Sequence, residues 1–147
     1  MLMYYSTMVK SPSHDDRIEK SEVDQIVERA VEKSRKDKDV LAVMLFGSYA
    51  RGEVAEDVDL CLVLYPEKAS KGFEKRIEYS FCDKLDIQVF QDLPLYIRKR
   101  VLKEGKILHY KDEEILYDIA IRTVKEFELF RPKYELYLGI AHGGEHG

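Results

Sequence analysis

Seven consecutive apolar residues, Val40 to Phe46, end abruptly at Gly47-Ser48. An unbroken apolar run of that length predicts a strand buried on both faces. Eleven residues after Gly47 a second run begins, in which Val58, Leu60, Leu62 and Leu64 alternate with Asp57, Asp59, Cys61 and Val63. That alternation predicts a strand with one apolar face and a polar patch at its start. The two runs are joined through Gly47-Ser48-Tyr49-Ala50-Arg51-Gly52, a glycine-bracketed turn.

The remaining pattern is an alternation of helices and short strands. Ser21 with Asp24 resembles an N-terminal cap, and Val23, Ile26, Val27, Ala30 and Val31 follow helical spacing to about Arg35. A helix is expected around residues 70–80. Leu85, Ile87 and Val89 share one face of a third strand, with Asp86 and Gln88 on the other. Pro94 suits a helix's first turn, and Gly105 its stop. Lys106 to Tyr110 predicts a short edge strand. Asp112 caps a long helix carrying Ile115, Ile119, Val124 and Phe127, which Pro132 is expected to end or bend. The order α, β, β, α, β, α, β, α predicts an α/β (α+β) fold: a small mixed sheet with flanking helices. Residues 1–20 are expected to form a flexible arm, 21–137 the domain, and 138–147 a mobile tail.

Composition bounds the function. The chain has 147 residues, 45% hydrophobic and 35% charged, with a net charge of −4. One domain with a real core is expected. The acidic balance argues against broad nucleic-acid binding, which needs a basic surface. No apolar stretch reaches membrane-spanning length, and the first residues lack a signal peptide's apolar core, so a cytoplasmic protein is expected. Two cysteines imply no disulfide framework, and Cys61 fits as a small core hydrophobe.

The chemistry concentrates at the turn and the acids beyond it. Gly47 permits unusual backbone angles and the close approach of a ligand. Ser48 adds a hydroxyl to a set of backbone N–H groups able to hold phosphate. Asp57 and Asp59, two apart, project to one side of a strand. Side by side, they are unfavourable without a cation. Mg²⁺, which prefers hard oxygens and shares them with substrate phosphates, is the fitting ion. Should the Asp86 strand neighbour that of Asp59, a third carboxylate would join them.

In combination these motifs resemble the DNA polymerase beta-like nucleotidyltransferase superfamily, whose signature is Gly-Ser, a spacer, Asp-x-Asp and a later acid on a strand. Residues 47–52 and the phrase Leu102 to Leu108 look more narrowly like the minimal nucleotidyltransferases of prokaryotes, over roughly residues 22–130. The resemblance implies that Gly47 and Ser48 bind the β- and γ-phosphates of ATP, with Arg51 contacting phosphate or holding the turn. It implies that Asp57, Asp59 and Asp86 ligate two Mg²⁺ ions and that Asp86 helps deprotonate the acceptor hydroxyl. The spacer, Tyr49 to Glu56, is shorter than the family's usual one, and Glu56 stands where a serine is common.

Relatives of this kind resemble antitoxins that transfer AMP to a tyrosine of a HEPN-class ribonuclease toxin encoded nearby. A protein acceptor is therefore expected. The alternative is an antitoxin that neutralises by binding alone; a small-molecule or RNA acceptor fits the length and charge less well. Phe127, Phe130, Tyr134 and Tyr137 either close the core or form the docking surface. A homo- or hetero-oligomer fits either case. The charge run from Glu32 to Asp39 and the cluster Arg98, Lys99, Arg100 and Lys103 are read as solvated helix faces. His142 and His146 stand in the glycine-rich tail and are not read as a metal site.

Overall fold

A computed structural model describes residues 20–53 and 56–139. The expected arm and most of the expected tail, including His142 and His146, lie outside the described residues. The chain forms α1 (Lys20–Lys36), β1 (Val40–Phe46), β2 (Val58–Leu64), α2 (Gly72–Tyr79), β3 (Leu85–Val89), α3 (Leu95–Glu104), β4 (Lys106–Tyr110) and α4 (Glu113–Tyr137). Short 3-10 segments at Pro66–Lys71 and Phe90–Asp92 lead into α2 and out of β3. The order matches the sequence pattern.

The four strands make one mixed sheet in the order β3-β2-β1-β4. β1 is antiparallel to both β2 and β4, while β2 and β3 run parallel. β1, the continuously apolar run, lies in the middle because both its faces are covered. Val43 and Leu45 join Leu60, Leu62 and α1's Val23, Val27 and Ala30 in one core. Leu41, Ala42 and Met44 meet Cys61, Val63, Phe90 and Val101 in the other. Burial of the Cys61 thiol raises its pKa, as for a packed hydrophobe. β2 is thus buried on both faces beyond its first residues, and its polar patch is confined to Asp57 and Asp59.

Two helix ends need comment. Ser21 lies within α1 and is not its cap. α4 runs through Pro132 to Tyr137 instead of ending there. Phe127, Phe130 and Tyr134 form one aromatic group spanning the proline, and Tyr134 stacks on Tyr96 of α3 at 5.1 Å between ring centroids. These contacts hold both sides of the turn that the proline weakens. Asp112 caps α4 as expected, accepting from the Ile115 N–H at 3.1 Å. Gly105 ends α3, but with φ −74° it adopts no left-handed cap. A Cβ there would stand 2.5 Å from the Val101 carbonyl oxygen and 3.1 Å from Met44 Cε. The glycine is needed to seat α3 against β1.

The charge run after α1 is not merely solvated. Glu32 and Arg35 do pair at the surface. Asp37 and Asp39, however, receive the ammonium of Lys75, only 5% exposed, at 2.9 and 3.0 Å; Glu78 adds a third carboxylate at 3.0 Å. The Tyr79 hydroxyl donates to Asp37 at 2.8 Å. Burial alone would raise the Asp37 carboxyl, but hydrogen bonds from the Asp39 N–H, Lys75 and Tyr79 outweigh it and hold the pKa below its usual value. A lowered carboxylate pKa stabilises the fold above the unfolded-state value and loses that effect as pH falls through the folded one. Lys75→Met removes the buried ammonium from Asp37, leaving Asp39 only the more distant Lys68 and Lys71, and should cost about 3 kcal/mol at pH 7. The deficit should shrink below about pH 4, where the carboxylates take up protons; urea unfolding at both pH values measures it.

Candidate active site

The register of three strands assembles the site. Asp59 lies opposite Phe46 on β1 and opposite Asp86 on β3. Phe46 is the last residue of β1, so Gly47 emerges directly beside Asp59. The contact is closer than any other residue allows: a Cβ on Gly47 would stand 2.1 Å from Asp59 Oδ2, and the backbone there has φ +84°.

From Gly47 the chain makes one compact turn. The Arg51 N–H donates to the carbonyls of Gly47 and Ser48 at 3.2 and 3.1 Å. Gly52 donates to Tyr49, and Glu53 to Ser48. These bonds run backwards along the turn, so its ladder leaves the N–H groups of Ser48, Tyr49 and Ala50 for other partners. Tyr49 and Ala50 are 1% exposed and join the α1-side core. They anchor the turn from within, a role the sequence motif did not reveal. The Tyr49 hydroxyl is pushed up to about 12 by burial and by the Asp24 carboxylate.

Two of the three expected acids meet. The carboxyl groups of Asp59 and Asp86 are close enough to share a hydrogen bond. Burial of Asp59, with the charges of Asp86 and Asp57, pushes its carboxyl up to about 6, against the pull of Arg51. Asp86 is exposed and accepts a 3.3 Å hydrogen bond from the Gln88 amide. Asp57 is exposed and precedes β2, so no strand pleat fixes its direction. Among the described residues no three His, Cys, Asp or Glu side chains stand together as a metal-holding group. The Asp59–Asp86 pair nevertheless fits Mg²⁺. It offers hard oxygens and an excess of negative charge, and Mg²⁺ commonly takes its other ligands from water and phosphates.

Arg51 is already engaged, with Glu53 at 3.2 Å and Glu104 of α3 at 3.7 Å. The basic cluster on α3 is not one solvated face. Arg98 donates to the Leu93 carbonyl and pairs with Glu126, while Lys99 lies over the Phe127 ring at 4.8 Å. Ile97, Arg100, Val101 and Glu104 instead turn toward the glycine turn, lining a crevice with Phe46, Gly47 and Arg51. Helical spacing places those four residues together, but only the docking of α3 on β1 shows what they face.

Over residues 28–114 the chain matches the family model described as "Polymerase beta, Nucleotidyltransferase". A relative from Methanocaldococcus jannaschii, provisionally named protein adenylyltransferase MJ1547, is 32% identical over 78 residues; the match spans 52% of this chain and 61% of the relative. Among solved structures, a toxin–antitoxin complex with AMP-PNP aligns with TM-score 0.56 at 14% identity, over 80% of this chain and 96% of the matched one. A tri-AMPylated Shewanella oneidensis HEPN toxin in complex with MNT antitoxin aligns with TM-score 0.56 at 12% identity, over 80% and 93%. At those identities the likeness shows the fold.

The crowding of Asp59 gives a direct measurement. In metal-free protein, carboxyl carbon NMR should show Asp59 titrating with a pKa of about 6. Asp86→Asn should lower it, and Mg²⁺ should lower it further. A raised carboxyl pKa means that ionisation opposes folding, so Asp59 opposes the metal-free fold less at pH 5 than at pH 7.

Proposed function

From its place in the polymerase beta nucleotidyltransferase family, to which this chain belongs, we propose that it transfers AMP from ATP to a hydroxyl on a protein partner. The observation that carries this is the Asp59–Asp86 carboxyl pair set directly against the Gly47 turn. One element offers backbone donors to phosphate; the other offers a site for the cation that accompanies phosphate.

In this reading the N–H groups opening the turn, with the Ser48 hydroxyl, hold the β- and γ-phosphates. Asp59 and Asp86, with Asp57 swinging in from the start of β2, would hold Mg²⁺. When bound, Mg²⁺ supplies charge neutralisation for the triphosphate and lowers the pKa of the attacking hydroxyl. Asp86, the exposed member of the pair, receives the acceptor's proton. The acceptor oxygen bonds to the α-phosphorus, the bond to the β-phosphate oxygen breaks, and pyrophosphate leaves. Arg51, bound to Glu53 and Glu104, holds the turn against α3.

The favoured acceptor is a tyrosine of a HEPN-class toxin, with this chain as its antitoxin in the cytoplasm. The adenylyltransferase name of the Methanocaldococcus relative supports the reaction. The toxin–antitoxin complexes among the structural neighbours support the partner. Phe127, Phe130 and Tyr134 are spent on the α3–α4 contact, so docking falls to Leu129, Leu136 and Tyr137, each more than two-thirds exposed on α4. A second reading, an antitoxin that neutralises by contact, draws on the lack of a three-ligand group among the described residues and on the prior engagement of Arg51.

The test uses α-labelled ATP, Mg²⁺ and the protein encoded beside this chain. Label should pass to the neighbour. Asp86→Asn should lower the rate by about a hundredfold or more, the scale of a lost general base. A stable complex that forms without any label transfer would favour the contact-only reading.

A further inference from the structure

Arg100 is the cation of the glycine-turn crevice whose charge is not already spent. It has no hydrogen-bond or ion-pair partner among the described residues, whereas Arg51, across the crevice, shares its guanidinium with Glu53 and Glu104. Its neighbours on α3 are occupied elsewhere: Arg98 with Glu126, Lys99 with the Phe127 ring. The wall that carries Arg100 is rigid. Val101 is buried, and Gly105 lets the end of α3 close on Met44 and the Leu45 carbonyl.

The crevice is small, about 100 Å³. One water occupies about 30 Å³ in the liquid, so a phosphoryl group fits where a nucleoside does not. Gly47 forms part of the lining, which places the crevice at the turn proposed to bind phosphate. Asp59 crowds the same glycine from β2, on the sheet face that α3 covers. A triphosphate laid across the turn would thus run beside the Asp59 carboxylate and toward an unpaired guanidinium.

We propose that Arg100 binds the terminal phosphates of the nucleoside triphosphate and the pyrophosphate they become. This rests on the nucleotidyl-transfer reading and adds a residue to it. When the Pα–O bond breaks, its electron pair passes to the β-phosphate oxygen, and the added charge collects on the departing pyrophosphate. A guanidinium is suited to receive it, because its planar donors match phosphate oxygens in pairs.

Arg100→Gln keeps much of the side chain's length and removes its charge. Binding of ATP and of inorganic pyrophosphate, measured by calorimetry with Mg²⁺, should weaken about tenfold or more. AMP, which lacks the β- and γ-phosphates, should bind unchanged. Arg100→Lys should recover part of the loss. Lys103→Gln, which removes one charge from the same helix, should change none of the three. Equal weakening of ATP and AMP, or unchanged ATP and pyrophosphate binding in Arg100→Gln, would overturn the assignment. Thermal unfolding of each variant separates loss of fold from loss of contact. Failure of the wild-type chain to transfer label would count against the transfer reading, while the ATP-against-AMP contrast still decides the role of Arg100.

Discussion

The site depends on strand register. Asp59 faces Phe46 on one side and Asp86 on the other, and both alignments follow from how β1, β2 and β3 pair. Side chains alternate along a strand, so a slip of one residue would turn Asp59 into the α1-side core. Such a slip would also bury Cys61 and Val63 on the wrong face. The hydrophobic pattern that secures the core therefore secures the carboxylates, and Gly47 records the fit by leaving no room for a side chain.

Charge is handled in opposite ways at the two ends of the sheet. At the start of β1, Asp37, Asp39 and Glu78 close around Lys75, and Tyr79 completes the shell. With Lys68 and Lys71 also reaching Asp39, three lysines meet three carboxylates, and the group serves stability. At the end of β1, Asp59 and Asp86 face each other with Asp57 nearby, and the pull of Arg51 does not offset their repulsion. Carboxylates left under-compensated in this way mark a functional site more often than a structural one.

Much of this was legible in the sequence. Val40–Phe46 declared its double burial, and the alternation around Asp86 placed that acid on the face it occupies. The mixed sheet and the order of elements followed from such runs. What escaped were facts of docking. Arg98, Lys99 and Arg100 look alike in sequence, yet one pairs with Glu126, one covers Phe127 and one faces Gly47. Their fates depend on the angle at which α3 meets β1 and α4. Asp37 and Asp39 looked like the end of a solvated run because Lys75, their partner, lies far along the chain. Of the two effects expected of Pro132, it does not end α4, because aromatic contacts hold the helix on both sides of it.

β3 is an edge strand. Among the described residues the sheet has no further strand beyond Asp86, and both Asp86 and Asp57 are exposed. For the transfer proposed above, a place on the sheet margin lets the carboxylates be approached by the surface of another folded protein, whose bulk a closed pocket would exclude. Selectivity in such an arrangement belongs to where the partner is gripped, remote from the chemistry, and the acceptor group is chosen by what the grip brings within reach.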